Sequence, residues 1–427
     1  MPKKIVIVGC GFGGVELAKK LKDQPFEVLL LDKNNYHTFQ PLLYQVATGG
    51  LEADSIAYPI RRIFRDAKNI RFQMCEVLKI ETHEKLLKTN VGDIAYDILV
   101  LASGSCNKYF NFESIKYEFL PLKSVTDALN MRSFLMQNLE KTISTYNPDE
   151  KEILMNVAII GGGPTGIELA GALAEMRKYV LPKDFPEIDF ANMRITLFEA
   201  APKLLGSMSE KASKASERFL KKLNVEIRLN SKVVTYQNSK ISLEDGQTFL
   251  TDSVIWTAGV KGNAIEGIKP DLINGDNRLL VDEHNKLVNM EDIYVIGDLA
   301  AYIGSEKSKG LPMLAQVAIQ QAALLAKNLV ALENGKPQRA FVYNNKGSMA
   351  TIGKNKAVVD LPHYRFQGAF AWFVWMFVHI ISLVGFRNKL VTLLGWLWNY
   401  FKYDRPLGLI IRPYKKQDNK NIHLEGK

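Results

Sequence analysis

Ile5-Val6-Ile7-Val8-Gly9-Cys10-Gly11-Phe12-Gly13-Gly14-Val15-Glu16-Leu17 is the stretch on which the fold turns. Residues 5–8 are a short β-branched run and predict a buried parallel strand. Glycines follow, and then a helix is predicted over 14–21. In Gly9-x-Gly11-x-x-Gly14 the first glycine permits a tight turn and the second lets a pyrophosphate reach the backbone. The third lets the helix close on the strand. The helix N-terminus offers unpaired N–H groups and a partial positive charge to phosphate. A second apolar strand over 28–31 ends at Asp32, which lies 23 residues after Gly9. A carboxylate there can accept both hydrogens of a ribose diol. Strand, glycine turn, helix, strand and acid together predict a dinucleotide site.

The same unit recurs from Val157. Residues 157–160 are apolar, Gly161-x-Gly163-x-x-Gly166 repeats the turn, and a helix is predicted over 166–178. The next strand, 194–198, ends at Glu199, 38 residues after Gly161. The usual spacing is about 20, and an inserted loop over 179–191 accounts for the excess. Glu199 would repel a 2′-phosphate, and Ala200 and Ala201 follow it instead of an arginine. That favours NAD over NADP, with Lys203 as the one opposing charge. The expected fold class is therefore α/β, with two Rossmann-type dinucleotide-binding domains. Three further strands, 97–102, 253–257 and 293–296, run into Ser103-Gly104, Ala258-Gly259 and Gly297-Asp298. Small residues at the carboxyl ends of such strands suit close approach of a ligand. Asn147-Pro148-Asp149-Glu150 is a polar break and is expected to be a hinge. The expected division is a first nucleotide domain in two parts, 1–115 and 263–345, a second at 116–262, and a C-terminal region at 346–427.

Composition narrows the partners. The 427 residues are 47% hydrophobic and 23% charged, as in a globular enzyme, with a net charge of +10. The surplus points to an anionic neighbour, either nucleic acid or lipid. From residue 387 to 427 there are nine Lys/Arg against three Asp/Glu. Four of the five tryptophans, Trp372, Trp375, Trp396 and Trp398, fall in the same region. Residues 368–386 are almost wholly apolar, with His379 the only titratable group before Arg387. Their number approaches the roughly 20 needed for a transmembrane helix. The helix that follows, over 389–403, is amphipathic instead: Leu390, Leu393, Leu394, Leu397, Trp398 and Phe401 share a face, and Thr392, Asn399 and Lys402 do not. A basic, Trp-rich, amphipathic pair is expected to lie in a lipid interface and to contribute mainly lipid-facing surface. A hydrophobic dimer contact is the other reading, and a homodimer is compatible with it. The charge thus assigns lipid, with no nucleic acid. Cys10, Cys75 and Cys106 have no CxxC or metal-ligand spacing, and Cys106 is expected to be a buried, inert thiol. The N-terminus carries no signal-peptide core, so the body of the protein is expected at the cytoplasmic face of the membrane.

Two dinucleotide sites on one chain resemble the two-dinucleotide-binding flavoproteins, in which FAD takes the first site and NAD(P)H the second. Residues 294–298, Tyr-Val-Ile-Gly-Asp, resemble the second FAD motif of that group. The resemblance narrows at three segments: 39–49, FQPLLYQVATG; 163–171, GPTGIELAG; and 315–321, AQVAIQQ. These, with Trp372 to Trp375 and Asn399-Tyr400-Phe401, are similar to the type II NADH dehydrogenases over residues 3 to 412. The resemblance implies a single-subunit, non-proton-pumping NADH:quinone oxidoreductase of a respiratory chain, bound to one membrane face. It implies FAD contacts at Gly9, Gly11, Phe12, Gly13, Gly14, Asp32, Lys33, Thr48, Val77, Ala102, Gly104, Asp298, Ala315 and Gln316. NADH would take Gly161, Gly163, Pro164, Thr165, Gly166, Glu199 and Gly259. Gln316 and Gln320, four apart on one helix face, would line the quinone pocket, where amides can bond a carbonyl without titrating. Glu168, read as lying in the first turn of its helix, would gate the site or supply a proton to the quinone.

Three rivals remain open in the sequence. A sulfide:quinone oxidoreductase would need catalytic cysteines near the flavin and would lack a full NAD loop. A soluble NADH-dependent flavin reductase would have no use for the C-terminal helices. A non-catalytic NADH-sensing flavoprotein would bind both nucleotides without turnover.

Overall fold

Apolar runs without polar alternation become strands buried on both faces, and the parallel sheets of this protein are built that way. The structure, a computed structural model, describes residues 2–302, 310–402 and 408–416. The chain folds as two units. The first comprises Met1–Thr38, Ala57–Cys106 and Val260–Asn345; the second comprises Phe39–Ile56, Asn107–Gly259 and Lys346–Lys427.

In the first unit five parallel strands stand in the order Ile293–Val295, Ile98–Leu101, Lys3–Val8, Phe26–Asp32, Ile70–Met74. The helices Phe12–Leu21 and Ala315–Glu333 pack on one face, over Ile5, Ile7, Val28, Leu30 and Val100. The alternate residues Val6, Val8, Leu31, Leu99 and Leu101 are covered on the other face. There Ile80, Leu87 and Ile94 come from the antiparallel strands Val77–Glu81, Leu86–Thr89 and Gly92–Ala95.

The second unit repeats this plan. Its parallel strands stand in the order Leu120–Pro121, Ser253–Trp256, Val157–Ile160, Ile195–Phe198, Glu226–Arg228. The antiparallel strands Val233–Gln237, Lys240–Leu243 and Thr248–Leu250 supply Tyr236, Ile241, Leu243 and Phe249 to the core on Ala158, Ile160 and Trp256. The duplication read from the glycine motifs thus extends to the covering sheet. Asn147-Pro148 is not a hinge. Asn147 caps the helix Pro148–Met155, its Oδ1 accepting from the Asp149 N–H, and Pro148 takes the first helical position, where a missing N–H costs nothing.

The second unit also holds residues 39–56, where the sequence reading kept them with the first nucleotide domain. Their helix Leu43–Ala47 packs on the helices Val125–Ser144 and Pro164–Tyr179. The C-terminal part adds an antiparallel sheet, Ser348–Thr351, Ala357–Asp360 and Arg365–Gly368, and then the helices Ala369–Ser382 and Phe386–Lys402. Gly368 makes the turn between them at φ 89°, which a side chain would strain. No helix among the described residues is long and apolar enough to cross a membrane.

The last helix is amphipathic in the inverted sense. Asn388, Thr392 and Trp396 face the body of the unit, Thr392 at 0% exposure, while Leu390, Leu394, Leu397, Trp398 and Phe401 face outward, Phe401 at 76%. The preceding helix shows the same pattern, with Ala371 and Trp375 inside and Phe370, Phe373, Phe377 and Ile381 outside. The tail is therefore core as well as exposed apolar surface, where mainly lipid-facing surface was expected. Its inner face is core, tied by Asn388 Nδ2 to the Asp54 carbonyl and by Asn399 Nδ2 to the Gly50 carbonyl. Residues 408–416 then return over the helix Val125–Ser144. The Ser133 hydroxyl donates to the Arg412 carbonyl, Gln137 Nε2 to that of Tyr414, and Lys416 Nζ to that of Asp252. Residues 403–407 and 417–427, part of the expected amphipathic helix and basic end, lie outside the described residues.

Candidate functional site

Both glycine turns separate glycines that packing demands from one that it does not. At Gly9, φ 105°, a Cβ would stand 2.3 Å from the Ala102 carbonyl oxygen, and at Gly14 it would stand 1.9 Å from that of Gly9. At Gly161, φ 112°, it would meet Ala258 at 2.7 Å, and at Gly166 the Gly161 carbonyl oxygen at 2.0 Å. These four cannot carry side chains because strand and helix close on them. Gly11 and Gly163 differ: a Cβ on either meets nothing within 4 Å. Their lack of a side chain leaves room at the N-termini of the helices Phe12–Leu21 and Pro164–Tyr179. Neither helix has a side-chain cap. Unspent N–H groups beside an open glycine form a cradle for a pyrophosphate. The two cradles fit one dinucleotide each.

The two acids occupy matching positions. Asp32 accepts from the N–H groups of Cys10 and Asn34 at 2.7 and 2.8 Å. Glu199 accepts from those of Gly162 and Ala201 at 2.6 and 2.8 Å. Each clamps its glycine turn to the end of the neighbouring strand. A carboxylate has about four acceptor positions, so each retains capacity for a ribose diol. Burial raises the Asp32 pKa, and the hydrogen bonds from Asn34 and Cys10 oppose that. Thr165 stands with Pro164 in the first turn of the second helix, and Gly259, φ 141°, lies three residues beyond the strand Ser253–Trp256, beside the Phe110 ring.

In the first unit Gly104 adopts φ 70° beyond the strand Ile98–Leu101, with Ala102 between them. Val77 opens the covering sheet, and Lys33 directly follows Asp32. Asp298 lies in the short helical turn Gly297–Leu299 and accepts from the Ser105 hydroxyl. Beneath it is a residue that the sequence reading passed over. Gln321 is buried, its Oε1 accepting from the Gly297 N–H at 2.7 Å while its Nε2 donates to Asn285 Oδ1 at 2.8 Å. The AQVAIQQ segment contains three glutamines, and helical spacing singled out the other pair. Gln316 and Gln320 do lie one turn apart on Ala315–Glu333, a helix whose first turn again lacks a side-chain cap. The amide of Gln320 is spent locally, however: it donates to the Asn344 carbonyl at 2.9 Å and accepts from the Asn344 N–H at 3.0 Å.

Glu168 is the fifth residue of the helix Pro164–Tyr179, in its second turn and two residues further in than expected from a helix over 166–178. Helix-end electrostatics therefore do not explain it. It is buried, the Thr351 N–H approaches Oε1 at 3.4 Å, and burial pushes its pKa up to about 8. Around it, within the second unit, is a pocket. Its walls include Tyr44, Gln45 and Thr48 from the FQPLLYQVATG segment, Glu168 and Glu175 from the helix, and Trp372, Trp375, Trp396 and Tyr400 from the C-terminal pair. Trp396 Nε1 donates to Gln45 Oε1 at 2.7 Å, and Gln45 Nε2 to the Tyr44 hydroxyl at 2.8 Å. The pocket is thus aromatic, with a few fixed polar groups and one neutral carboxyl, which suits a flat, uncharged, carbonyl-bearing ligand.

Cys10 and Cys75 are buried, and burial raises both pKa values; Cys106 is half-buried rather than buried. All three are free thiols. No cluster that could hold a metal ion occurs among the described residues.

Residues 3–322 match the pyridine nucleotide-disulphide oxidoreductase family, and residues 345–402 match the NDH2 C-terminal domain. The type II NADH:quinone oxidoreductase Ndh of Mycobacterium tuberculosis is 33% identical over 422 residues, covering 94% of this chain and 89% of that protein. The type II NADH:quinone oxidoreductase of Haemophilus influenzae is 30% identical, covering 88% and 92% respectively. Among solved structures, NDH2 from Plasmodium falciparum in complex with NADH shares the fold at a TM-score of 0.87. It is 21% identical, over 95% of this chain and 100% of that one.

Proposed function

The chain belongs to the type II NADH:quinone oxidoreductases, and we propose how its residues divide the work of that reaction. The net reaction is NADH + H⁺ + quinone → NAD⁺ + quinol, with no proton pumped. FAD, when bound, takes the hydride and passes on two electrons; the protein supplies position, electrostatics and protons. The three rivals are not favoured.

The first glycine turn, with Asp32, Asp298 and the strand ends at Ala102 and Gly104, holds FAD. Gln321 fixes the Gly297-Asp298 turn from below. The second turn holds NADH, with Glu199 at the adenosine ribose and no arginine beside it for a 2′-phosphate. Lys203 donates to the Met208 carbonyl at 3.5 Å and remains the one opposing charge in the sequence.

The quinone binds in the aromatic pocket at Glu168. One observation carries this reading: the buried, neutral carboxyl of Glu168 lines an aromatic pocket within the second unit. With a pKa near 8, Glu168 is protonated at neutral pH and can hand that proton to the substrate. Gln320 serves the Asn344 backbone instead.

The exposed apolar faces of Ala369–Ser382 and Phe386–Lys402 lie against lipid. Moving one such Leu or Phe out of water is worth about 1.5–3 kcal/mol. The basic end adds attraction to anionic headgroups, and NADH places the nucleotide units on the cytoplasmic side. A second copy of the chain is the other occupant this face fits, and the size of the detergent-free particle separates the two.

The test is anaerobic. NADH bleaches the flavin spectrum, and a soluble quinone then restores it. A sensor would bleach without recovering.

A further inference from the structure

Two indoles of the Glu168 pocket are treated differently by their surroundings. Trp396 donates its N–H to Gln45. Trp375 is 1% exposed, lines the same pocket, and its Nε1–H meets no acceptor at hydrogen-bonding geometry. A buried donor left unpaired is destabilising, and native structures rarely keep one without use.

Trp375 is also held in place. His379 stacks on it with ring centroids 4.1 Å apart and bonds the Trp375 carbonyl through Nδ1 at 2.7 Å. Trp396 lies on it at 5.5 Å, and Phe39 closes edge-on over His379 at 5.9 Å. The ring cannot turn to find another partner without breaking this stack. Its N–H lies near enough to Glu168 to draw that carboxyl's pKa down against the burial that raises it. A fixed N–H donor and a carboxyl proton therefore sit together in a largely aromatic wall.

We propose that the Trp375 indole N–H is the donor that holds a quinone carbonyl oxygen beside Glu168, making Trp375 a substrate-binding and orienting residue of this site. The proposal rests on the placement of the quinone in this pocket. The carbonyl accepts from Trp375 in the oxidised quinone, and the bond strengthens as negative charge grows on that oxygen during reduction. Two electrons from NADH and two protons make the quinol. Glu168 gives one proton to the oxygen that Trp375 holds and is reprotonated from solution; the other proton is the one carried in with the hydride. The remaining ionisable groups on the pocket wall are Glu175, Lys354, Tyr44 and Tyr400. Glu175 accepts from the Lys354 N–H at 2.6 Å, so that carboxylate is committed to the chain turn at Gly353.

The test replaces Trp375 in the FAD-loaded full chain by its benzothiophene analogue, which keeps the ring shape and removes the N–H. Trp375→Phe and Glu168→Gln are made in parallel. Each is reduced anaerobically with NADH, then mixed with a short-chain ubiquinone analogue across pH 6 to 10. The expected result is unchanged bleaching by NADH and reoxidation slowed about three- to tenfold in the benzothiophene variant. The pH at which reoxidation declines should also move upward, because one of the groups lowering the Glu168 pKa is gone. An indole that only contacts Glu168 would move that pH without slowing reoxidation below it. If the benzothiophene variant matches the parent in rate and pH profile while Glu168→Gln is slow, the role of Trp375 is overturned and the pocket stands. If Glu168→Gln also reoxidises at the parent rate, the placement of the quinone falls, and the proposal with it.

Discussion

Glu168 ionises near its ordinary value of 4.5 in the unfolded chain and near about 8 in the folded one. Between those values the folded state binds more protons, so stability falls as pH rises from about 4.5 to 8 and is level on either side. Glu168→Gln removes that dependence. Its melting temperature relative to the parent should climb through the window and then stay constant, and a difference independent of pH would show that the carboxyl is not buried as described. The same neutral acid predicts that quinone reduction declines above pH 8 in the parent. Glu199→Gln or →Ala should raise KM for NADH and relax discrimination against NADPH, since the ribose loses a charged acceptor and the Gly162 N–H loses its clamp. An unchanged NADH/NADPH preference in steady-state assays would remove Glu199 from the ribose. Among the three glutamines, Gln321→Leu orphans the buried Gly297 N–H at a cost of about 1–3 kcal/mol and should loosen FAD retention. Gln320→Leu should act on the Asn344 segment and leave quinone kinetics nearly unchanged.

At the level of elements, the C-terminal helix pair is core on one side and apolar surface on the other. Leu394→Glu with Trp398→Glu alters only outward residues, so the double variant should fold, bind FAD and be bleached by NADH. It should lose most of its affinity for vesicles containing anionic lipid. Binding of the parent should weaken with salt, since charge attraction is screened over a Debye length of about 8–10 Å. Undiminished vesicle binding of the double variant would show that this face is not the contact. Removing residues 408–427 tests a different element. Loss of the hydrogen bonds from Ser133, Gln137 and Lys416, and of buried Tyr414, should lower the melting temperature by several degrees. A melting temperature equal to the parent's would make the returning segment ornamental.

Across the whole molecule, what the sequence revealed followed from local rules. The two glycine turns, their strands and their acids lie close together in the chain, and each residue's reason is set by its immediate neighbours. Gly9 and Gly161 could be read because a tight turn and a close carbonyl demand them; Gly11 and Gly163 because no fold contact does. The matching antiparallel covers were not legible, since short mixed strands such as Val233–Gln237 carry little periodicity. Asn147-Pro148 was misread because a polar, proline-bearing stretch signals a helix start and a loop alike. Residues 39–56 and the C-terminal helices converge on one pocket only through long-range packing, so the neighbourhood of Glu168 and Trp375 had no local signature. Gln321 escaped for a related reason: its partner Gly297 lies 24 residues away, and spacing along the helix favoured Gln316 and Gln320. The inward turn of Thr392 and Asn388 was hidden too, since a hydrophobic face ordinarily predicts the buried side. The central claim is that hydride entry and quinone reduction use separate residues, with Glu168 on the quinone side. Anaerobic stopped-flow on Glu168→Gln resolves the two half-reactions on one protein. NADH should bleach the flavin at the parent rate while reoxidation by quinone slows at least tenfold and no longer varies between pH 6 and 9; slowed bleaching with parent-like reoxidation would contradict the account.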